Sequence, residues 1–240
     1  MKILLIGYGK MGKAIERLAT ARGHEIVGRV DDTNPDLLHT IPVSEVDIAI
    51  EFTRPEAAFE NISTCLKRGI KVISGTTGWL DRFDEVKAQI SATNGTFLYA
   101  SNFSLGVNLF FALNKKLSKL MADYELYEPT MEEIHHTQKL DAPSGTAITL
   151  AEGLMEQFTS KKQWVNEESD NIEDLSIISK RIDKVPGTHS VTWHSEMDEI
   201  TIQHTAHTRD SFAIGAILVA NWIKDQVGFF TMEDFMCIEG

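Results

Sequence analysis

The first hundred residues switch repeatedly between two hydrophobic periods, and no other feature of the chain restricts its fold so strongly. Short apolar runs at 2–6, 25–30, 46–52, 70–74 and 96–100 read as buried strands. Helix-period stripes lie between them. The first is Met11, Ala14, Ile15, Leu18 and Ala19. The second, behind Pro55 at a first helical turn, is Ala58, Phe59, Ile62, Cys65 and Leu66, and the third is Phe83, Val86 and Ile90. Strands that alternate with helices are joined by crossovers, which implies a parallel sheet covered on both faces.

At the first strand–helix junction stands Gly7-Tyr8-Gly9-Lys10-Met11-Gly12, a G-x-G-x-x-G run. Alone such a run is a weak signal, since three glycines can make a plain turn. Here Gly7 permits the tight turn, Gly9 admits a pyrophosphate to the backbone, and Gly12 lets helix and strand pack closely. The helix start adds unpaired N–H groups and the positive end of its dipole. Asp31-Asp32 closes the second strand about twenty residues on, where a carboxylate can accept from the adenine ribose. The expected fold class is therefore α/β, with a Rossmann-type parallel sheet that binds NADH or NADPH. Asp32 favours NADH only modestly, because exposed charge pairs are worth about 1 kcal/mol or less. Lys10 and Arg29 are the cations that could offset its repulsion of a 2′-phosphate. Gly75-Thr76-Thr77-Gly78 and Ala100-Ser101-Asn102-Phe103 follow the fourth and fifth strands, at the carboxyl edge where such sheets hold ligands.

After Phe103 the pattern changes. A helix over 105–122 has Gly106, Leu109, Phe110, Leu113, Leu117, Leu120 and Met121 as its expected buried face. From Tyr124 a strand-like pattern runs into EEIHHTQKLDAPSGTA at 132–147. If 131–136 is extended, His135 shares a face with Glu133 and Met131 while His136 points the other way. A lone histidine there would most often be a hydrogen-bonded sheet residue, but Lys139 and a Ser-Gly-Thr turn follow closely. Ser144 suits an N-cap, and with Ala147 three positions on no capping-box carboxylate occupies the helix start. Gly145 removes the side chain that would obstruct an approaching anion, so a carboxylate fits there.

Residues 159–174 read as a polar surface excursion with no assigned role, Trp164-Val165 being its apolar pair. A strand at 175–178 and a hairpin of 189–195 with 199–206 follow. Antiparallel strands after a parallel unit imply a second, α+β domain for substrate and oligomerisation. It is inserted at 104–209 between the two parts, 1–103 and 210–240, of the dinucleotide-binding domain. Ile214, Ile217, Leu218, Asn221 and Trp222 mark the returning helix, and Thr231 with Asp234 can cap a short last one.

A net charge of -12 argues against nucleic acid or an anionic membrane as partner. It also requires a local cationic pocket for any anionic substrate. Cys65 and Cys237 make no C-x-x-C pair and no metal-ligand spacing, so they read as reduced thiols. The start, MKILLIGYGKMG, is too short in its apolar run for a signal peptide, and no run approaches membrane-spanning length. The expectation is a soluble, cytoplasmic protein. Two imidazoles, a lysine and free N–H groups in one block suit a small, multiply anionic substrate that is protonated as it reacts. No metal site, nucleophile elbow or phosphate-transfer loop competes with that reading. Two other classes share the scaffold: a different nicotinamide enzyme such as an amino-acid dehydrogenase, and a redox-sensing module without catalysis.

The HHTQKLDAPSGTA run resembles the signature of the 4-hydroxy-tetrahydrodipicolinate reductase (dihydrodipicolinate reductase) family. EFTRPEA at 51–57, SGTTG at 74–78, ASNFSLGVN at 100–108, RIDKVPGTH at 181–189, ITIQHTA and RDSFAIG resemble further family blocks in the expected order. The resemblance implies reduction of 4-hydroxy-tetrahydrodipicolinate to tetrahydrodipicolinate with a nicotinamide hydride and loss of water, in the diaminopimelate route to lysine. It implies His135 as the acid/base residue and Lys139 as proton donor. It also implies that His136, Lys139, Ser144, Gly145 and Thr146 hold the small dicarboxylate substrate, with Thr77 facing both substrate and nicotinamide. The glycine run with Asp32, Phe52, Gly75, Thr76, Thr77, Ala100, Ser101, Asn102, Phe103 and Arg209 would contact cofactor. Arg209 and Phe212 match the interdomain hinge, and members are commonly homotetramers joined through their second domains. Two departures bear on cofactor choice: the glycine loop lacks an extra glycine that the family often carries, and Thr33 follows Asp32 where some relatives have arginine.

Overall fold

The computed structural model describes residues 1–208 and 210–238. In chain order its strands and helices are β1 (Lys2–Ile6), α1 (Lys10–Thr20), β2 (Glu25–Val30), α2 (Leu37–Thr40), β3 (Ile48–Glu51), α3 (Pro55–Arg68), β4 (Val72–Ser74), α4 (Phe83–Thr93) and β5 (Thr96–Tyr99). Then come α5 (Leu105–Met121), β6 (Glu128–His135), α6 (Gly145–Met155), β7 (Gln163–Val165), β8 (Asp174–Arg181), β9 (Gly187–His194) and β10 (Glu199–Ala206). The chain closes with α7 (Asp210–Ile223), β11 (Gly228–Phe230) and α8 (Met232–Met236). Two compact units result: Met1–Leu105 with Asp210–Gly240, and Gly106–Arg209.

The first unit is a parallel sheet in the order β11-β5-β4-β3-β1-β2. Side chains alternate across a strand, so β1 feeds two separate cores. Ile3 and Leu5 pack with Ile15, Leu18, Ala216 and Ala220 on one face. Leu4 and Ile6 pack with Phe59, Ile62, Leu66 and Val86 on the other. Burial on both faces explains the unbroken apolar run of β1. Pro55 opens α3 as expected, and Thr231 with Asp234 forms a capping box on α8. β11 and α2 have no counterpart in the sequence reading, because three and four residues are too few to show a period.

The second unit is a mixed sheet, β10-β9-β6-β8-β7, in which β9 and β10 form the expected antiparallel hairpin. α5 and α6 supply its core, where Phe110, Leu150 and Leu154 meet Met131, Ile177, Val191 and Trp193. Two readings change here. α5 buries Val107, Phe110, Asn114, Ser118 and Met121, whereas Leu109, Leu113 and Leu120 are exposed. Helical periodicity finds a stripe without saying which stripe meets this unit's own core. The polar Asn114 donates to the Leu150 carbonyl at 2.9 Å, tying α5 to α6. The 159–174 excursion is more than a surface loop, for it contains β7. The buried Lys161 also meets Glu128 at 2.6 Å and donates to the Ile172 carbonyl at 2.8 Å.

Candidate active site

In the first unit the glycine run sits at the carboxyl end of β1. Gly7 has φ +93°, and a Cβ there would stand 2.0 Å from the Phe52 carbonyl oxygen, so only glycine fits. At Gly12 a Cβ would stand 2.2 Å from the Gly7 carbonyl oxygen. Gly9 is different: a Cβ would meet nothing within 4 Å, which leaves its backbone open to a ligand. Gly9 is also the N-cap of α1, with no side-chain cap and no acid in the first turn. The leading N–H groups and positive dipole end are therefore available to an anion. Lys10 beside it is exposed and Met11 half-buried. A cavity of about 720 Å³ adjoins the turn, lined in part by Tyr8, Gly9, Asp32, Thr53 and Arg54. This cradle fits the pyrophosphate and adenosine half of a dinucleotide.

The acidic pair divides its work. Asp31 accepts from the Thr33 hydroxyl and N–H at 2.6 and 2.8 Å, bonds that shape the loop and hold its carboxyl below the usual range. Asp32 reaches into solvent, with the Arg54 guanidinium at 3.2 Å. Arg29 is committed elsewhere: both Nε and Nη2 contact Glu16, which also accepts from the Tyr8 hydroxyl. The cation beside Asp32 is Arg54, which the sequence reading did not single out.

Of the later loops, Gly75 lies under the Phe52 ring, where a Cβ would come within 2.0 Å of Cε1. That ring packs on Phe103 at 5.6 Å between centroids. Thr76 is buried and Thr77 exposed. Ala100 and Phe103 are buried, Ser101 is exposed, and Asn102 Oδ1 accepts from the Ser104 N–H at 2.9 Å. Arg209 lies outside the described residues.

In the second unit, strand alternation places Met131, Glu133 and His135 on the buried face of β6. Glu133 has no exposure. It accepts from the Ser144 N–H at 3.1 and 3.2 Å, the Ser179 hydroxyl at 2.9 Å and Arg181 Nη2 at 3.1 Å. His135 Nδ1 and His189 Nε2 stand 3.5 and 3.6 Å from its Oε2. Burial alone would raise this carboxyl; the surrounding donors, His189, Ser144 and Ser179 foremost, outweigh it and hold Glu133 far below the usual range. His135 is pushed down to about 4, chiefly by burial. The Glu133 charge opposes that shift, while His189, Lys139 and Arg181 add to it. Glu133, His135 and His189 offer donor atoms within 4.8 Å of one another, a spacing that could hold a metal ion. An ion there would compete with the Arg181 cation for the same carboxylate, so the set reads better as a charge-balanced polar cluster.

The strand ends at His135, and the turn after it carries the rest. The Lys139 N–H donates to the His136 carbonyl at 2.9 Å, and Lys139 Nζ is held by Asp141 at 2.8 and 3.0 Å. Ser144 caps α6 by accepting from the Ala147 N–H at 3.2 Å, and its hydroxyl also meets His189 Nε2 at 3.1 Å. The Ser144 side chain is thus buried inside the cluster. Gly145 is exposed, and a Cβ there would meet nothing within 4 Å. His136 and Thr146 are half-buried. Sequence reasoning did not single out Glu133, Ser179, Arg181 or His189 as site residues. The available signal was alternation, since Glu133 and His135 share one strand face, together with the arginine and histidine that bound RIDKVPGTH.

A neutral His135 makes a stability prediction. Its folded value of about 4 lies below the ordinary 6.5, so across that window the unfolded chain binds more protons than the folded one. Stability should therefore rise with pH between these values and be lost as pH falls through them. Urea melts from pH 4 to 7 on the native and His135→Gln proteins check this. Equal pH slopes in the two would refute it.

Residues 1–103 match the family description "Dihydrodipicolinate reductase, N-terminus", and 106–236 match "Dihydrodipicolinate reductase, C-terminus". The chain belongs to the dihydrodipicolinate reductase family. A curated 4-hydroxy-tetrahydrodipicolinate reductase from Christiangramia forsetii is 49% identical, over 98% of this chain and 98% of its own. One from Archaeoglobus fulgidus is 31% identical, over 95% of this chain and 96% of its own. The solved dipicolinate-bound dihydrodipicolinate reductase from Paenisporosarcina sp. TG-14 superposes with a TM-score of 0.75 at 22% identity. It covers 96% of this chain and 97% of that one, and it agrees with the fold. Family membership and fold thus coincide with the resemblance carried by the HHTQKLDAPSGTA run.

Proposed function

We propose that this reductase-family chain reduces 4-hydroxy-tetrahydrodipicolinate to tetrahydrodipicolinate with NADH or NADPH, a step towards diaminopimelate and lysine. The observation that carries the proposal is the second unit's buried Glu133 cluster, which fixes His135, Arg181 and the head of α6 around one acceptor. A bound nicotinamide cofactor supplies the hydride, and the chain's own residues supply the rest. The N–H groups of Gly145 and Thr146 at the α6 start, together with His136, bind substrate carboxylate. Ser144 shapes that turn as its cap. His135 is neutral near pH 7, so it accepts or orients and does not carry the transferred proton. The substrate's 4-hydroxyl leaves as water, taking a hydrogen from the adjacent carbon and giving a conjugated imine. The Lys139 ammonium, steered by Asp141, then returns a proton to the carbon skeleton as hydride arrives, and its charge stabilises the developing anion. Thr77, exposed after β4, faces nicotinamide and substrate in this reading. The glycine run, Phe52 and the Ala100–Phe103 loop hold the cofactor, with Arg209 included from the family pattern. The assay is direct: purified protein should oxidise NADH or NADPH only when the cyclic substrate is present, and cofactor oxidation without it, or none with it, would reject the reading.

The finer assignments rest on separate observations. Asp32 at the ribose supports a modest NADH preference, and Arg54 beside it supports continued use of NADPH. Because the pair is exposed, Asp32→Ala should shift the NADPH-to-NADH affinity ratio by at most about fivefold towards NADPH. Isothermal titration of both cofactors measures it; a shift towards NADH would remove Asp32 from the ribose. The exposed Leu109, Leu113 and Leu120 stripe and the exposed Ile200 support a homotetramer joined through second units. Unpaired Cys65 and Cys237 suit the reducing cytoplasm. Among the described residues no helix is long and apolar enough to cross a membrane.

A further inference from the structure

The first unit contains a second fully buried carboxylate that the mechanism above does not use. Glu51 ends β3, a central strand, and has no exposure. Its Oε2 accepts from the Ser74 hydroxyl at 2.5 Å. Its Oε1 accepts from the Thr76 hydroxyl at 2.9 Å, the Thr53 N–H at 3.0 Å and the Thr53 hydroxyl. The Thr53 N–H is shared with Thr76 Oγ1 at 2.7 Å, and Asn61 Nδ2 donates to Thr53 Oγ1 at 3.4 Å. No cation is among these partners. A buried carboxylate without a counter-ion is costly, and burial pushes this one up. Apolar side chains at 51, 74 and 76 would fill the same space at lower cost. The arrangement therefore does something that packing alone does not require.

Geometry shows what it does. Ser74 and Thr76 bracket Gly75, and Thr53 follows Phe52; Gly75 and Phe52 are in contact, with no room for a Cβ between them. One carboxylate thus clamps the loop after β3 to the loop after β4, both at the carboxyl edge of the sheet. Thr53 and Arg54 of the first loop line the 720 Å³ cavity, whereas Glu51 does not. We infer that Glu51 is a positioning residue, which sets the shape of the Phe52–Arg54 and Gly75–Thr77 loops and so governs how tightly the nicotinamide cofactor is held. The inference rests on the proposed cofactor reading of this cavity. Glu51 acts through Thr53, Ser74 and Thr76 rather than by touching cofactor.

The test compares native protein with Glu51→Gln, Glu51→Asp and Ser74→Ala, each measured for NADH dissociation constant by isothermal titration, for separate KM and kcat values, and for thermal midpoint. Glu51→Gln places an amide among hydroxyl and N–H donors, and Ser74→Ala cuts the clamp on the β4 side at a buried hydroxyl that does not line the cavity. Both should raise the NADH dissociation constant and its KM about tenfold or more, with the KM for the cyclic substrate within about twofold of native. Glu51→Asp should recover part of the loss. Ser74→Ala changes a single hydroxyl and keeps the test decisive if Glu51→Gln does not fold. Native NADH affinity in folded Ser74→Ala or Glu51→Gln protein would overturn the inference while leaving the cofactor reading intact. Native protein that binds neither NADH nor NADPH would overturn both.

Discussion

Turnover of 4-hydroxy-tetrahydrodipicolinate by a Lys139→Ala protein is expected to fall by about 100- to 10,000-fold, the usual contribution of a positioned proton donor. The size of the effect follows from the state of the neighbouring imidazole. Burial pushes His135 down to about 4, so near neutral pH it has no surplus proton to give. Lys139 is the flexible cation of the same turn, and Asp141 steers its head at 2.8 Å without enclosing it. Removing it should depress kcat rather than NADH affinity, because the glycine run belongs to the first unit and Lys139 to the second. Coupled steady-state kinetics with a parallel NADH titration separates the two quantities. A Lys139→Ala enzyme that turns over at the native rate would take Lys139 out of the chemistry.

The largest expected effect on stability belongs to Glu133. Its oxygens satisfy the first N–H of the α6 turn, the Ser179 hydroxyl and the Arg181 guanidinium at once. Glu133→Ala would leave the largely buried Arg181 without its carboxylate, though Nη2 keeps the Asp141 carbonyl at 2.7 Å. It would orphan the Ser144 N–H, while the Ser179 hydroxyl keeps Asn166 Oδ1 at 2.8 Å. Breaking a buried pair in this way costs about 3–5 kcal/mol. Glu133→Gln keeps the shape and one acceptor, so its loss should be smaller. Urea denaturation followed by circular dichroism reads both. If Glu133→Ala melted within about 0.5 kcal/mol of native, the carboxylate would not be the centre of the cluster.

The parallel sheet was legible because five buried strands repeat one signal, apolar run then helical stripe, and because the first glycine run falls at a junction. The turn proposed to be catalytic stands out in the sequence because a helix cap, two imidazoles and a lysine are neighbours along the chain. What escaped notice is non-local or carries no periodicity. Arg181 and His189 reach Glu133 through strand pairing of β8 and β9 with β6, a register that no local pattern announces. Arg54 meets Asp32 across twenty-two positions, whereas Arg29, nearer in sequence, is drawn to Glu16. The α5 leucines read as inward-facing because an apolar stripe has the same period whether it meets its own core or points away from it.

The return of the chain to the first unit has a consequence during synthesis. Ala213, Ala216, Ile217, Val219, Ala220 and Ile223 of α7 cover one face of the first sheet, and β11 pairs with β5 at its edge. Until those residues leave the ribosome, Ile3 and Leu5 lack part of their cover and the β5 edge lacks its neighbour. The intervening Gly106–Arg209 segment takes roughly 5–20 s to translate at ordinary bacterial or eukaryotic rates. The second unit, contiguous in sequence, can fold during that interval. The half of the protein that is made first is thus completed last, and the nascent chain carries an open sheet edge for seconds, an interval in which chaperone capture would protect it from pairing with another chain.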